Sequence, residues 1–221
     1  MKNSLSPHII IEGNVKYTLG ELKVNQILYD FEKMLTYLDA KGKLLFGVKF
    51  KIYDDDRDVL FKLCNYFIGD EANCQKLGID LGKGILLTGP VGCGKTSLMK
   101  LLRHMVPHQK PYKIIPTRNI AFGFNHIGYK TIEDYGDGQY FCFDDLGVEP
   151  IGRHYGKDCN VMGEIILSRY EIFLQNKIKT HATTNLNAQE LEERYGNRVR
   201  SRMRQLFNLV AFDSGSVDKR K

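Results

Sequence analysis

"GILLTGPVGCGKTSL" occupies residues 84–98, where the apolar run Ile85, Leu86, Leu87 leads straight into Gly89, Gly94, Lys95 and Thr96 at the spacing G-x-x-x-x-G-K-[ST]. The run reads as a short buried strand, and the apolar pattern beyond Thr96 predicts a helix over 94–106. The glycines therefore fall in a strand-to-helix turn, the context in which this spacing has a chemical meaning. Glycines let the backbone wrap so that successive N–H groups face phosphate oxygens. Lys95 brings a point charge to the β- and γ-phosphates, and the Thr96 hydroxyl suits Mg2+. The positive end of the helix adds to the cradle. Gly89, Pro90, Val91, Gly92, Cys93, Gly94, Lys95, Thr96 and Ser97 are accordingly the candidate set for binding ATP, with Cys93 a small residue that fits. The alternative, a chance glycine-rich turn, is disfavoured by the strand and helix on either side.

Working outward, strands are expected at 84–88, 112–116, 140–144, 178–184 and 207–212. Helices are expected at 94–106, near 119–126 and at 160–175. Strands separated by helices imply a parallel sheet with crossover helices, an α/β architecture. A phosphate cradle needs an acid at the end of a neighbouring apolar strand, and "YFCFDDLG" at 140–147 supplies two. Asp144 would hold Mg2+ through water and Asp145 would orient or deprotonate the attacking water, with Glu149 as a second candidate acid. "IKTHATTNL" at 178–186 ends in Thr183, Thr184 and Asn185, which could bond a γ-phosphate or the attacking water, or could be a polar turn. His181 in that strand reads as packed or hydrogen-bonded. "ELEERYGNRVRSRMRQ" at 190–205 carries Arg194, Arg198, Arg200, Arg202 and Arg204. Arg198 and Arg202, four apart, share a helix face. This cluster suits a solvated basic face, phosphate contact across a subunit boundary, or a DNA backbone.

The first 57 residues say less. "GELKVNQILYDFEKMLTYLDAKG" at 20–42 places Leu22, Ile27, Leu28, Phe31, Leu35 and Leu38 on a helical stripe, and "FGVKFKIY" at 46–53 alternates like a strand. "DDDRD" at 54–58 reads as the N-cap and first-turn charge of a helix beginning near 58. Residues 1–57 are thus a small, mostly helical extension, a candidate docking segment for a partner, ahead of a core domain over 58–221.

Composition narrows the class. With 43% hydrophobic and 26% charged residues, the chain reads as an ordinary globular protein. No apolar stretch approaches the roughly 18 residues of a membrane span, and the N-terminus lacks a secretory leader's apolar core. Five scattered cysteines without a CxxC pair read as reduced thiols in a cytoplasm. The formal charge of +6 is compatible with an anionic partner without requiring one. "FGFNH" at 122–126 and "YGDGQY" at 135–140 read first as packing residues and second as base-stacking ones. The terminal "DKRK" reads as a solvated tail, with phosphate contact as the alternative.

The order P-loop, "FDDLG", "TTNL", then "ERYGNRVRSRM" resembles the AAA+ ATPases of the DnaC/IstB group, the bacterial helicase loaders and related transposition ATPases. The likeness covers residues 84–221, and "TTNLNAQELEERYGNRVRSRM" is its most specific part. It implies an ASCE-type sheet in the order 5-1-4-3-2, with the "TTNL" strand between the P-loop and "FDDLG" strands and no C-terminal lid. By the resemblance, Asn185 is the sensor residue, Asp145 the catalytic acid, and Arg202, with Arg198 beside it, an arginine finger for a neighbouring subunit's ATP. It further implies ATP and Mg2+ as cofactors, slow turnover dependent on oligomerisation or DNA, and a homo-oligomer. The partners implied are DNA, single-stranded in preference to double-stranded, and a replicative helicase or other DNA-processing protein. An IstB-type role in transposition is the alternative within the group. A monomeric P-loop kinase of small molecules and a non-hydrolysing nucleotide binder are the contrasting readings.

Overall fold

The structure, a computed structural model, describes residues 6–220. Backbone contacts divide the chain into two compact units, residues 1–79 with 97–111, and residues 80–96 with 112–221. The expected boundary at 57/58 falls inside the first unit, at the start of a helix, rather than between the two.

The first unit opens with two antiparallel hairpins, β1 (Ile9–Glu12) with β2 (Val15–Thr18) and β3 (Gly20–Lys23) with β4 (Gln26–Tyr29). Three helices follow, α1 (Phe31–Phe46), α2 (Arg57–Ile68) and α3 (Glu71–Lys76). The helical stripe expected over 20–42 is therefore a hairpin followed by a helix. Leu22 pairs with Ile27 across a two-residue turn at Val24 and Asn25. The helix starts only where the Asp30 carboxylate accepts from the Lys33 amide at 3.1 Å. A turn and an N-cap here outweigh the 3.6-residue spacing. The extension is thus half β-hairpin, not mostly helical. The strand expected at 46–53 is also absent: α1 runs to Phe46, Gly47 ends it at φ 98°, and no neighbouring strand pairs with the segment. Alternation makes a strand only when a ladder partner exists. At 54–58 the acids do open a helix, but indirectly: Asp54–Asp56 form a 3-10 turn in which the Asp56 carboxylate accepts from the Tyr53 amide at 3.3 Å.

The second unit holds β5 (Gly84–Thr88), the start of α4 (Lys95–Met105), β6 (Lys113–Pro116), α5 (Thr117–Ile127), α6 (Lys130–Tyr135) and β7 (Phe141–Asp144). It continues with the hairpin β8 (Gly152–His154) and β9 (Lys157–Cys159), α7 (Val161–Asn176), β10 (Thr180–Thr184), α8 (Ala188–Leu206) and β11 (Phe207–Ala211). Every element expected beyond residue 84 is present within a few residues of its predicted bounds. Five strands form one parallel sheet in the order β11-β5-β10-β7-β6, which puts β10 between the strands carrying the glycine turn and the paired aspartates.

Burial explains the composition of these strands. β7 and β10 are buried along their whole length and β5 at its first four residues, while the edge strand β6 is nowhere fully buried. Central parallel strands are covered on both faces and so read as unbroken apolar runs. Their core joins Leu86, Phe143 and Ala182 to Ile165 and Ile166 of α7 and Leu191, Val199 and Met203 of α8. Each such large apolar side chain contributes about 2 kcal/mol on burial. This core fixes the carboxyl ends of β5, β7 and β10 side by side, where the candidate polar residues cluster.

Candidate functional site

Each of these three strands delivers its polar group at the point where it leaves the sheet. After β5 the chain turns through Gly89 to Gly94, with Gly92 at φ 83° and Gly94 at φ 105°, a region that side chains with a Cβ rarely adopt. Lys95 is 6% exposed, and its ammonium donates back to the Gly89 and Pro90 carbonyls at 2.7 and 2.8 Å. The loop thus carries its own cation, held within the turn. Thr96, the next residue, donates its hydroxyl to the Asp144 carboxylate at 2.8 Å.

Asp144 is the hub. It is 7% exposed at the tip of β7, and the same oxygen also accepts from the Thr183 hydroxyl of β10 at 2.7 Å. Thr183 in turn accepts from the Asp145 amide at 2.9 Å. One continuous set of bonds therefore runs from the loop through Asp144 and Thr183 to Asp145. Asp145 adopts φ +56°, a conformation that costs a non-glycine residue about 1–2 kcal/mol. It is held there from both sides, since its carbonyl accepts from the Thr117 hydroxyl at 2.8 Å. Partial desolvation, then the neighbouring Asp144 charge, push its carboxyl above the usual aspartate value, against the opposing pull of Lys95 and Arg220.

The strand tip at 183–185 splits its duties. Thr183 and Thr184 are committed within the protein, Thr184 donating to the Leu146 carbonyl at 2.7 Å. Asn185 differs: its carbonyl oxygen is buried with no hydrogen-bond partner. A buried amide left unpaired costs about 1–3 kcal/mol, so an orphan at this position fits a group supplied from outside the chain. The donor set fits Mg2+ in kind as well, a hydroxyl beside a carboxylate being hard oxygen chemistry.

His181 and Glu149 are both bonded within the protein. The His181 imidazole is buried and accepts from the Ile85 amide at 3.1 Å. Burial, then the charges of Lys179 and Arg169, lower its pKa to about 3. Glu149 accepts from the Gly147 amide at 2.8 Å and the Tyr195 hydroxyl at 2.7 Å, and it pairs with Arg194 at 3.5 Å. Both carboxylate oxygens of Glu149 are thus engaged within the protein.

The arginines of α8 divide accordingly. Gly196 breaks the helix at φ 81°, ψ 160°, between the segment with Arg194 and the segment with Arg198 and Arg202. Arg194 is engaged by Glu149. Arg202 is half-buried with its guanidinium 4.7 Å from the Tyr170 ring centroid, and Arg204 pairs with Glu192 at 3.9 Å. Arg198 is exposed and has neither a hydrogen bond nor an ion pair among the described residues. The residues that sequence reading missed are Thr117, which fixes Asp145, and Arg169, fully buried and donating to the Thr180 hydroxyl at 2.8 Å and to the Asp137 carbonyl. No spacing pattern marks either, because both act through partners distant in the chain.

No family model matches the chain. A curated "Putative ABC transporter ATP-binding protein" of Methanosarcina mazei is 44% identical over 48 residues, which is 20% of this chain and 8% of that protein. The chain therefore spans less than a tenth of that relative's length. Among solved structures, a DnaC helicase loader superimposes with a TM-score of 0.54 at 19% identity, over 73% of this chain and 92% of that one. A structure of DnaI gives 0.53 at 18% identity, over 73% and 87%. AMPPCP-bound DnaA from Aquifex aeolicus gives 0.51 at 17% identity, over 74% of this chain and 48% of that one. At these identities the likeness is one of fold, a five-stranded parallel sheet flanked by helices.

Proposed function

We propose that the chain is an ATP hydrolase that uses nucleotide binding and turnover to control its assembly on DNA and on a partner protein, in the manner of a replicative helicase loader. The observation that carries this reading is the bond path from Thr96 through Asp144 and Thr183 to Asp145, which ties the phosphate loop to the candidate catalytic acid. In this reading residues 89–97 hold ATP, and Lys95 exchanges its two loop carbonyls for phosphate oxygens. Asp145 orients the attacking water and accepts its proton, with the unpaired Asn185 carbonyl oxygen available to accept from that water. Thr96 and Asp144 would hold Mg2+, which supplies neutralisation of phosphate charge.

Arg198 suits the arginine-finger role better than Arg202, because it is exposed and unpaired whereas Arg202 lies over Tyr170. The active unit would then be a homo-oligomer, each copy completing its neighbour's site, as a finger supplied in trans requires. For DNA, a surface formed by α5 and the β8–β9 hairpin is favoured. Tyr155, Tyr129 and Phe122 are 94%, 66% and 41% exposed there, interleaved with exposed Arg118, Arg153 and Lys157. Asn125 fastens the hairpin to α5, accepting from the Arg153 amide at 2.6 Å. Stacking rings among cations suit single-stranded DNA in preference to a duplex, since only unpaired bases offer free faces.

The test is ATP turnover per subunit against protein concentration, with and without single-stranded DNA, for wild type, Lys95→Ala and Arg198→Ala. Turnover that rises with concentration and DNA, and that Arg198→Ala removes while ATP still binds, supports the reading. Turnover that is flat in both and survives Arg198→Ala sinks it and favours a monomeric small-molecule kinase.

A further inference from the structure

Residues 212–220 lie on the phosphate loop. Phe212, just past β11, donates its amide to the Thr88 carbonyl at 2.9 Å, and its side chain is so close to Gly89 that a Cβ there would come within 2.7 Å of it. The chain then turns through Asp213 and Ser216 and returns. The Lys219 amide donates to the Gly92 carbonyl at 3.1 Å, and the Lys219 ammonium donates to the Cys93 carbonyl at 2.7 Å. That ammonium also lies 5.2 Å from the Phe212 ring centroid. Asp218 presses on Gly92 so closely that an added Cβ would stand 2.1 Å from its carboxylate. Arg220 pairs with Asp218 at 3.1 Å and interacts electrostatically with Asp145. The segment that reads in sequence as a solvated tail is bonded to the loop by main chain and side chain.

The peptide unit makes these bonds consequential. In a trans peptide the carbonyl and the following N–H point in opposite directions. Holding the Gly92 and Cys93 carbonyls toward the tail turns the Cys93 and Gly94 amides away from it. The Cys93 amide meets the Pro90 carbonyl at 3.4 Å, within the loop. The Gly94 amide, directly before Lys95, faces away from Lys219. We propose that Lys219 is a positioning residue of the phosphate loop: the C-terminal tail holds two loop carbonyls outward and so presets the Gly94 amide for the phosphates of ATP. This rests on the ATP reading of the same site and adds the tail to it.

The experiment is a titration with a fluorescent ATP analogue, paired with steady-state ATP turnover, for wild type, Lys219→Ala, Lys219→Arg and Lys95→Ala. A charge-assisted bond that orders a binding loop carries about a tenfold change in affinity. Lys219→Ala is expected to weaken binding about tenfold and to raise KM more than it lowers kcat. Lys219→Arg, which keeps a cationic donor, is expected to recover most of that loss. Wild-type affinity in Lys219→Ala overturns the proposal, as does tighter binding, which would make the tail a competitor of nucleotide. Loss in Lys219→Ala without recovery in Lys219→Arg also overturns it, because the defect would then be general unpacking of the tail. Lys95→Ala separates the two levels: if wild type and Lys95→Ala alike bind no ATP, the ATP reading itself fails and the proposal with it.

Discussion

The carboxyl ends of β5, β7 and β10 and the arginine helix α8 carry comparable densities of polar groups but use them in opposite ways. At the strand ends almost every group is bonded inward: Lys95 to its loop, Thr96 and Thr183 to Asp144, the Asp145 amide to Thr183. Among the described residues the Asn185 carbonyl oxygen is buried there without a partner. Along α8 the arginines are mixed: Arg194 is engaged by buried Glu149, Arg202 lies over Tyr170 and Arg204 pairs with Glu192, while Arg198 is exposed and has no hydrogen-bond or ion-pair partner among the described residues. The difference teaches that a charged cluster has no single meaning. A preorganised site spends its hydrogen bonds holding geometry, whereas a group meant for a second molecule must stay unspent.

The sharpest way to break this comparison is to remove the outward arginine. Arg198→Ala is expected to lower ATP turnover in the assembled protein by about 10³-fold with ATP affinity unchanged, the low end for a finger supplied in trans. An equal loss of binding would show that Arg198 serves its own subunit's fold or site. Removing the inward arginine should act on stability instead. Arg194→Ala leaves Glu149 buried beside Tyr195 without its cation, at a cost of about 3 kcal/mol in urea unfolding. An unchanged midpoint would place the two arginines in one class and erase the distinction.

A third variation concerns the sheet itself. His181 is neutral in the folded state with a pKa of about 3, against about 6.5 when unfolded. Below pH 6.5 the unfolded chain therefore binds a proton that the folded chain refuses. The stability this group confers is full above that pH and falls as the pH drops toward 3. Between pH 7 and pH 5 the loss is about 2 kcal/mol, and His181→Gln should lack this slope when the unfolding midpoints at the two pH values are compared. The smallest effect belongs to the proposed DNA face: Tyr155→Ala should weaken single-stranded DNA binding by about tenfold in an anisotropy titration and leave ATP turnover without DNA unchanged. A null result there would return the hairpin to plain structure.

How much of this was readable beforehand differs along the chain. In the sheet unit the glycine-rich turn, both aspartates and all five strands follow from local pattern, because buried parallel strands write themselves as apolar runs and a turn at positive φ favours glycine. In the first unit the same rules failed twice. Over 20–29 a helical spacing became a hairpin, and at 46–53 an alternating run found no ladder partner. Short segments obey whichever neighbour pairs with them. The site residues show the same divide: Lys95 and Thr96 stand in a motif, while Thr117 and Lys219 reach the site from distant positions in the chain.

The sequence by itself determined the α/β class, the glycine-rich turn with its lysine and threonine, and the position of the paired acids, since each is written in spacing that a single strand, turn or helix must satisfy. Only the tertiary structure decided which arginine is engaged and which is outward, that Thr183 and Thr117 clamp Asp145 in a left-handed conformation, and that Lys219 bonds the turn it follows by more than a hundred positions. Those outcomes depend on hydrogen bonds between groups remote in sequence. Local preference is blind to them, and the packed core that brings the strand ends together is what makes them possible.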